Sequence, residues 1–133
     1  TYSAVEFRTG SLSMRLGITN QSDAYSWSSI RQQVTIPGSA TSATLSFWYY
    51  PICQDFLPYD YQEVIIYDAS FTTKLAYAMP QVCSNSQTWT HHTFDLMPYK
   101  GQTITLYFNV KNDGQGNLKT AMYVDDVSVQ VCY

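Results

Sequence analysis

The residues of this chain whose types suit chemistry are a histidine pair, a carboxylate pair and an unusual number of aromatic rings. His91 and His92 are adjacent, with Asp95 four residues beyond the first. Histidine and aspartate together suit metal binding or general-base work. The segment reads as a strand, however, and neighbouring strand residues point to opposite faces, so the two imidazoles cannot share a metal as a simple chelate. One surface and one partly buried imidazole is the expectation. No serine lies in a nucleophile-elbow context, no glycine-rich phosphate loop is present, and the acidic residues are scattered singly apart from Asp125 and Asp126. Nothing in this set describes an active site.

The rings describe something else. Pyranose sugars present apolar C–H faces that pack on aromatic planes, and Trp48, Tyr50 and Tyr107 are the candidates for such stacking. Asn109, Gln62 and Asp60 can hydrogen-bond hydroxyls around them. The same rings serve equally as sheet-face packing or as a contact between subunits. Trp27 and Trp89, near strand starts, are expected to act as core lids or edge-loop packing. The stretch CQDFLPYDYQ (53 to 62) is the most aromatic loop, and reads as either a binding rim or a partner interface.

These residues must be positioned by strands. Helical periodicity is nearly absent, whereas period-two alternation recurs every ten to fifteen residues between Gly, Pro, Ser and Asn clusters. Strands are expected at 11 to 16, 28 to 36, 43 to 50, 63 to 69, 74 to 79, 89 to 96, 103 to 110 and 121 to 131. About eight antiparallel strands suit an all-β sandwich of jelly-roll type, and one domain is expected to fill residues 1 to 133. Alternation sorts the faces: Leu45, Phe47 and Tyr49, like Ile104, Leu106 and Phe108, read as core. Trp48 and Tyr50, like Tyr107 and Asn109, belong to the opposite faces, which can remain exposed.

The last strand, AMYVDDVSVQVC (121 to 132), breaks its own pattern. Val127, Val129 and Val131 share one face, but Val124 is an odd step away. A β-bulge at Asp125 and Asp126 resets the phase and brings all four valines to the core.

The chain has 133 residues, twelve tyrosines, few charges and a net charge of -3. With no cluster of Lys or Arg there is nothing to hold a phosphate backbone or an anionic membrane, and no apolar run approaches the ~20 residues needed to span a bilayer. Nucleic acid and lipid are excluded as expected partners. Uncharged polar and aromatic composition is typical of secreted proteins, and Asn20-Gln21-Ser22 matches a glycosylation sequon. Cys53 and Cys83 each close a strand-like run beside a proline (PIC, PQVC), in loops that can share one end of a sandwich; a disulfide between them stabilises by ~3 to 4 kcal/mol. The alternative is three buried reduced thiols. With the disulfide formed, Cys132 is left free or paired with another chain.

In order, Gly10 to Gly17 (GSLSMRLG), Ile36 to Trp48 (IPGSATSATLSFW), Trp89 with Phe94-Asp95-Leu96, Tyr99 to Gln102 (YKGQ) and Tyr123 to Val127 (YVDDV) resemble the galactose-binding-like jelly-roll domains. These include many carbohydrate-binding modules and MAM-like domains of secreted bacterial proteins. The resemblance spans residues 10 to 131. It implies a non-catalytic extracellular module for recognition or adhesion, with polysaccharide or another glycan as partner, and leaves hydrolysis remote. It also implies a structural Ca²⁺ held by Asp125, for which Glu6 is the acidic partner available near the start. The alternative is a bulge whose carboxylates cap backbone N–H groups or meet Arg15 or Arg31. The family's first strand is not recognisable here, which leaves a sheet edge open to strand addition. A self-assembling structural subunit, forming a homo-oligomer or filament, is therefore the rival expectation.

Overall fold

A computed structural model describes residues 1 to 133 as two antiparallel sheets packed face to face. The strands are β1 (Tyr2–Ser3), β2 (Ser13–Gly17), β3 (Tyr25–Thr35), β4 (Ser42–Cys53), β5 (Tyr61–Asp68), β6 (Lys74–Val82), β7 (Thr90–Asp95), β8 (Thr103–Asp113) and β9 (Thr120–Cys132). One sheet has the order β1-β2-β9-β4-β7 and the other β3-β8-β5-β6. All eight expected strands are present in a β-sandwich. The ninth, β1, pairs with β2 through Tyr2 and Ser3 and covers two residues of the edge expected to be open.

The core lies where the alternation puts it. Leu45 and Phe47 from β4, Val64 and Ile66 from β5, and Ile104, Leu106 and Phe108 from β8 are buried between the sheets. Phe47 meets Phe108 edge to face across the gap, with centroids 5.1 Å apart, the arrangement that aromatic quadrupoles favour. Gln62 is a polar link through the same interior. Its amide nitrogen lies 3.1 Å from the carbonyl oxygens of Ile52, Ser84 and Ala121, and its Oε1 accepts from Ser84 N at 3.0 Å. The Cys53–Cys83 disulfide closes the same end, with 5.4 Å between Cα atoms, and Cys132 is free and exposed. At the end of β2, Gly17 has φ +86°, and a Cβ there would run into the Thr120 carbonyl oxygen and the Val110 side chain.

The bulge is present and its consequence differs from the expectation. Ser46 pairs with Ser128 and Trp48 with Asp125, so β9 carries one residue more than β4 between those pairs, and Asp126 takes φ +50°. Val124, Val129 and Val131 pack on the core. Val127 is 45 % exposed, at an apolar opening of about 320 Å³ lined also by Met14, Ile30, Leu106 and Phe108. Asp125 is not drawn inward: it follows Trp48 onto the outer side of the sheet. Asp125 Oδ2 accepts from Arg8 N at 2.9 Å and Thr9 N at 3.2 Å, while Asp126 takes the Thr9 hydroxyl at 2.6 Å and the Arg8 guanidinium at 3.0 Å. The bulge lets two consecutive carboxylates face the same loop, and that loop supplies their partners.

Candidate functional site

The outer face of the four-stranded sheet is laid out by register. Trp27, Lys111 and Tyr61 form one row across β3, β8 and β5; Ser29, Asn109 and Glu63 form the next; Arg31, Tyr107 and Ile65 the third, continued by Tyr77 on β6. Gln33, Thr105 and Tyr67 form the fourth, continued by Lys74. Aromatic rows thus flank a polar one. Trp27 and Tyr77 are 49 % and 42 % exposed. Tyr61 meets Trp27 edge to face at 6.0 Å, and Lys111 sits 5.6 Å from both rings. Burial pushes the Tyr61 phenol up to about 12, with the Glu63 carboxylate adding to the effect.

Below the rings the floor is polar and buried. Glu63 Oε1 accepts from Asn109 Nδ2 at 3.0 Å and Oε2 from Gln81 Nε2 at 3.1 Å. Asn109 Oδ1 and Thr105 Oγ1 are buried without a protein partner. Buried polar atoms normally have one; Asn109 is fully enclosed, which suits a buried water, while Thr105 borders an open pocket. Phe71, from the β5–β6 turn at φ 59°, folds over this face, against Tyr67 at 4.4 Å and Tyr107 at 5.2 Å.

The six residues expected to gather around a sugar do not share a face. Tyr107 and Asn109 belong to the face just described. Trp48 and Tyr50 lie on the opposite outer face, because β4 belongs to the five-stranded sheet. There Trp48 stacks on His91 at 4.8 Å and carries the Arg8 guanidinium 3.7 Å from its centroid. Tyr50 packs against Trp89 and Tyr123. Gln62 is the interior link, and Asp60 is buried at the end of the sandwich. His91 is exposed and His92 half-buried against Phe47, as the strand geometry requires.

Trp27 takes a different position from the one expected. It is no core lid: β3 begins at Tyr25 rather than Ser28, and the alternation Trp27, Ser29, Arg31, Gln33 carries through it onto the outer face.

A second cluster sits at the end of the sandwich. Carboxylate oxygens of Asp55, Asp60 and Asp113 lie within 4.8 Å of one another and could hold a metal ion. Asp60 Oδ2 accepts from the Thr120 hydroxyl at 2.5 Å and Oδ1 from Asp113 N at 2.8 Å. Burial, with the charges of Asp55 and Asp113, holds its carboxyl above the ordinary carboxylate value despite those bonds. Asp23 shifts the same way, chiefly by burial. Asp125 and Glu6 do not join such a group. The Asp125 oxygens accept three backbone N–H groups, from Arg8, Thr9 and Asp126.

No family model matches this sequence, and no curated protein does. Solved structures do share the fold. A family 61 carbohydrate-binding module in complex with β-1,4-galactotriose superposes with a TM-score of 0.61 at 12% identity, over 93% of this chain and 73% of that one. A family 16 carbohydrate-binding module gives 0.57 at 14% identity over 97% and 83%. The enzymatically active domain of tailspike protein 4 of bacteriophage CBA120 gives 0.57 at 12% identity, where this chain covers 92% of itself and 16% of the other. The chain has the β-sandwich fold of carbohydrate-binding modules, the fold that its resemblance implied. The third likeness shows the same sandwich inside a much larger catalytic protein.

Proposed function

We propose that this chain is a non-catalytic extracellular module that binds a glycan on the outer face of its four-stranded sheet. The observation that carries the reading is the layout of that face: the exposed rings of Trp27 and Tyr77 stand on either side of a polar row whose Ser29 is open to solvent. Sugar rings pack on such aromatic side chains while their hydroxyls meet polar groups between them. On the opposite face Trp48, Tyr50 and Trp89 are only half-exposed and Tyr123 is buried. A disulfide and this fold suit an oxidising, extracellular setting.

The test is affinity electrophoresis through gels containing β-1,4-galactan, xylan or glucomannan. Retardation by at least one polysaccharide, lost in Trp27→Ala and kept in Trp48→Ala, is expected. Equal retardation of Trp27→Ala and the wild type removes the site from this face.

Calcium is the ion we assign to the Asp55, Asp60 and Asp113 cluster. Three hard carboxylate donors suit Ca²⁺, and its charge offsets their mutual repulsion. Bound there, it would tie the β4–β5 loop to the end of β8.

A further inference from the structure

Resting on the glycan reading, we infer that the same face contains a subsite for an anionic sugar substituent, a carboxylate or a sulfate ester, centred on Arg31. A pocket of about 310 Å³ opens between β3 and the β5–β6 turn, lined by Arg31, Gln33, Ser70, Phe71 and Thr105 among others. Its cation makes no ion pair: the single ion pair of the chain joins Arg8 to Asp126. The Arg31 guanidinium stacks over Phe71 with its Cζ 4.2 Å from the ring centroid. Stacking fixes the plane of the guanidinium and leaves its edge, with the fork of N–H donors that matches two anionic oxygens, directed at solvent.

The pocket is independently marked by Thr105. This residue is 2 % exposed, and its hydroxyl has no partner in the protein. Thr105 lies on β8 between Gln33 and Tyr67, and Gln33 Nε2 donates to Ala69 O at 2.7 Å beside it. A hydroxyl and a guanidinium lining one pocket suit a group rich in acceptors. Two carboxylates share this face: Glu63 is buried and held by Asn109 and Gln81, and Asp68 is turned into the loop, its Oδ1 accepting from Thr72 N and Thr73 N and its Oδ2 from the Ser70 and Thr72 hydroxyls. Lys74 and Lys111, at the far side and the other end of the face, are also without ion-pair partners. The three cations of this face outnumber its two carboxylates, Glu63 and Asp68, in a chain whose net charge is -3.

The experiment measures affinity of the wild type, Arg31→Gln and Thr105→Val for oligogalacturonate, a sulfated galactan and neutral β-1,4-galactan, at low and high salt, with thermal melts confirming that each variant folds. The expected result is at least tenfold tighter binding of one anionic glycan than of the neutral one, weakening with salt. Arg31→Gln is expected to bring that ratio close to one, and Thr105→Val to lower it. Which anionic glycan is retained tells carboxylate from sulfate. Neutral galactan bound as tightly as both anionic ligands overturns the subsite while leaving glycan binding in place, as does an anionic preference that Arg31→Gln leaves intact. Failure to bind any of the three, or other polysaccharides, overturns the glycan reading and the subsite with it.

Discussion

Asn109 donates its side-chain amide to Glu63 Oε1 at 3.0 Å beneath the rings of the four-stranded sheet, where both residues are buried. The bond crosses from β8 to β5 and partners a carboxylate that has no cation beside it. Asn109→Ala leaves one oxygen of a buried charge unsatisfied and is expected to cost about 2 to 3 kcal/mol in urea unfolding. Adding Glu63→Gln to that variant removes the charge and is expected to recover part of the loss. Recovery of nothing in the double variant would show that packing, not charge satisfaction, sets the cost.

The Asp125 and Asp126 pair makes a separate prediction. Asp125→Ala deprives the Arg8 and Thr9 N–H groups of their acceptor and is expected to destabilise by about 1 to 2 kcal/mol. Asp126 is held below the ordinary carboxylate value, first by the Thr9 hydroxyl and then by Arg8. A depressed folded-state value stabilises above the unfolded value, near 4, and that stability is lost as pH falls through the folded value. Asp126→Asn should therefore flatten the acid limb of stability below about pH 4. An unchanged acid limb contradicts the assigned contact.

The acidic cluster carries the opposite sign. Asp60 and Asp23 have raised folded-state values, so the ion-free protein gains stability as pH falls from neutrality into the upper carboxylate range. With Ca²⁺ bound that gain disappears, because protons compete with the ion. Chelator at pH 7 is expected to lower the melting temperature of the wild type and to leave Asp60→Asn unaffected. A wild type whose melting is the same with calcium and with chelator excludes the ion.

Gly17 tests the packing of the two sheets at the end of β2. Its φ of +86° already disfavours a side chain, and the Thr120 carbonyl and Val110 leave no room for one. Gly17→Ala is expected to cost about 3 kcal/mol or more, since strain and steric overlap add. A loss below about 1 kcal/mol would mean that β2 moves freely away from β9.

Much of the fold was legible because alternation is local. The period-two runs around Leu45, Phe47 and Leu106, Phe108 name both the strands and their inner faces, and the valine spacing in β9 names the bulge. The site was less legible because sheet membership is not local. Trp48 and Tyr107 look equivalent in sequence, yet β4 and β8 belong to different sheets and turn their outer residues to opposite sides of the molecule. Starting β3 at Ser28 detached Trp27 from the alternation that places it. Gln62 and Asp60 were read as sugar contacts because amides and carboxylates are ordinarily exposed. Here both are buried, each paid back by hydrogen bonds to distant strands. The Asp55, Asp60 and Asp113 group joins positions up to 58 residues apart, and no spacing rule reports it.

The central claim is most directly tested by backbone amide chemical-shift mapping of the wild type during titration with a retained oligosaccharide. Perturbations concentrated on Trp27 to Gln33, Tyr61 to Tyr67 and Thr105 to Lys111, including the Trp27 indole, are expected. Perturbations centred on Trp48, Tyr50 and His91 with the four-stranded face silent would contradict it.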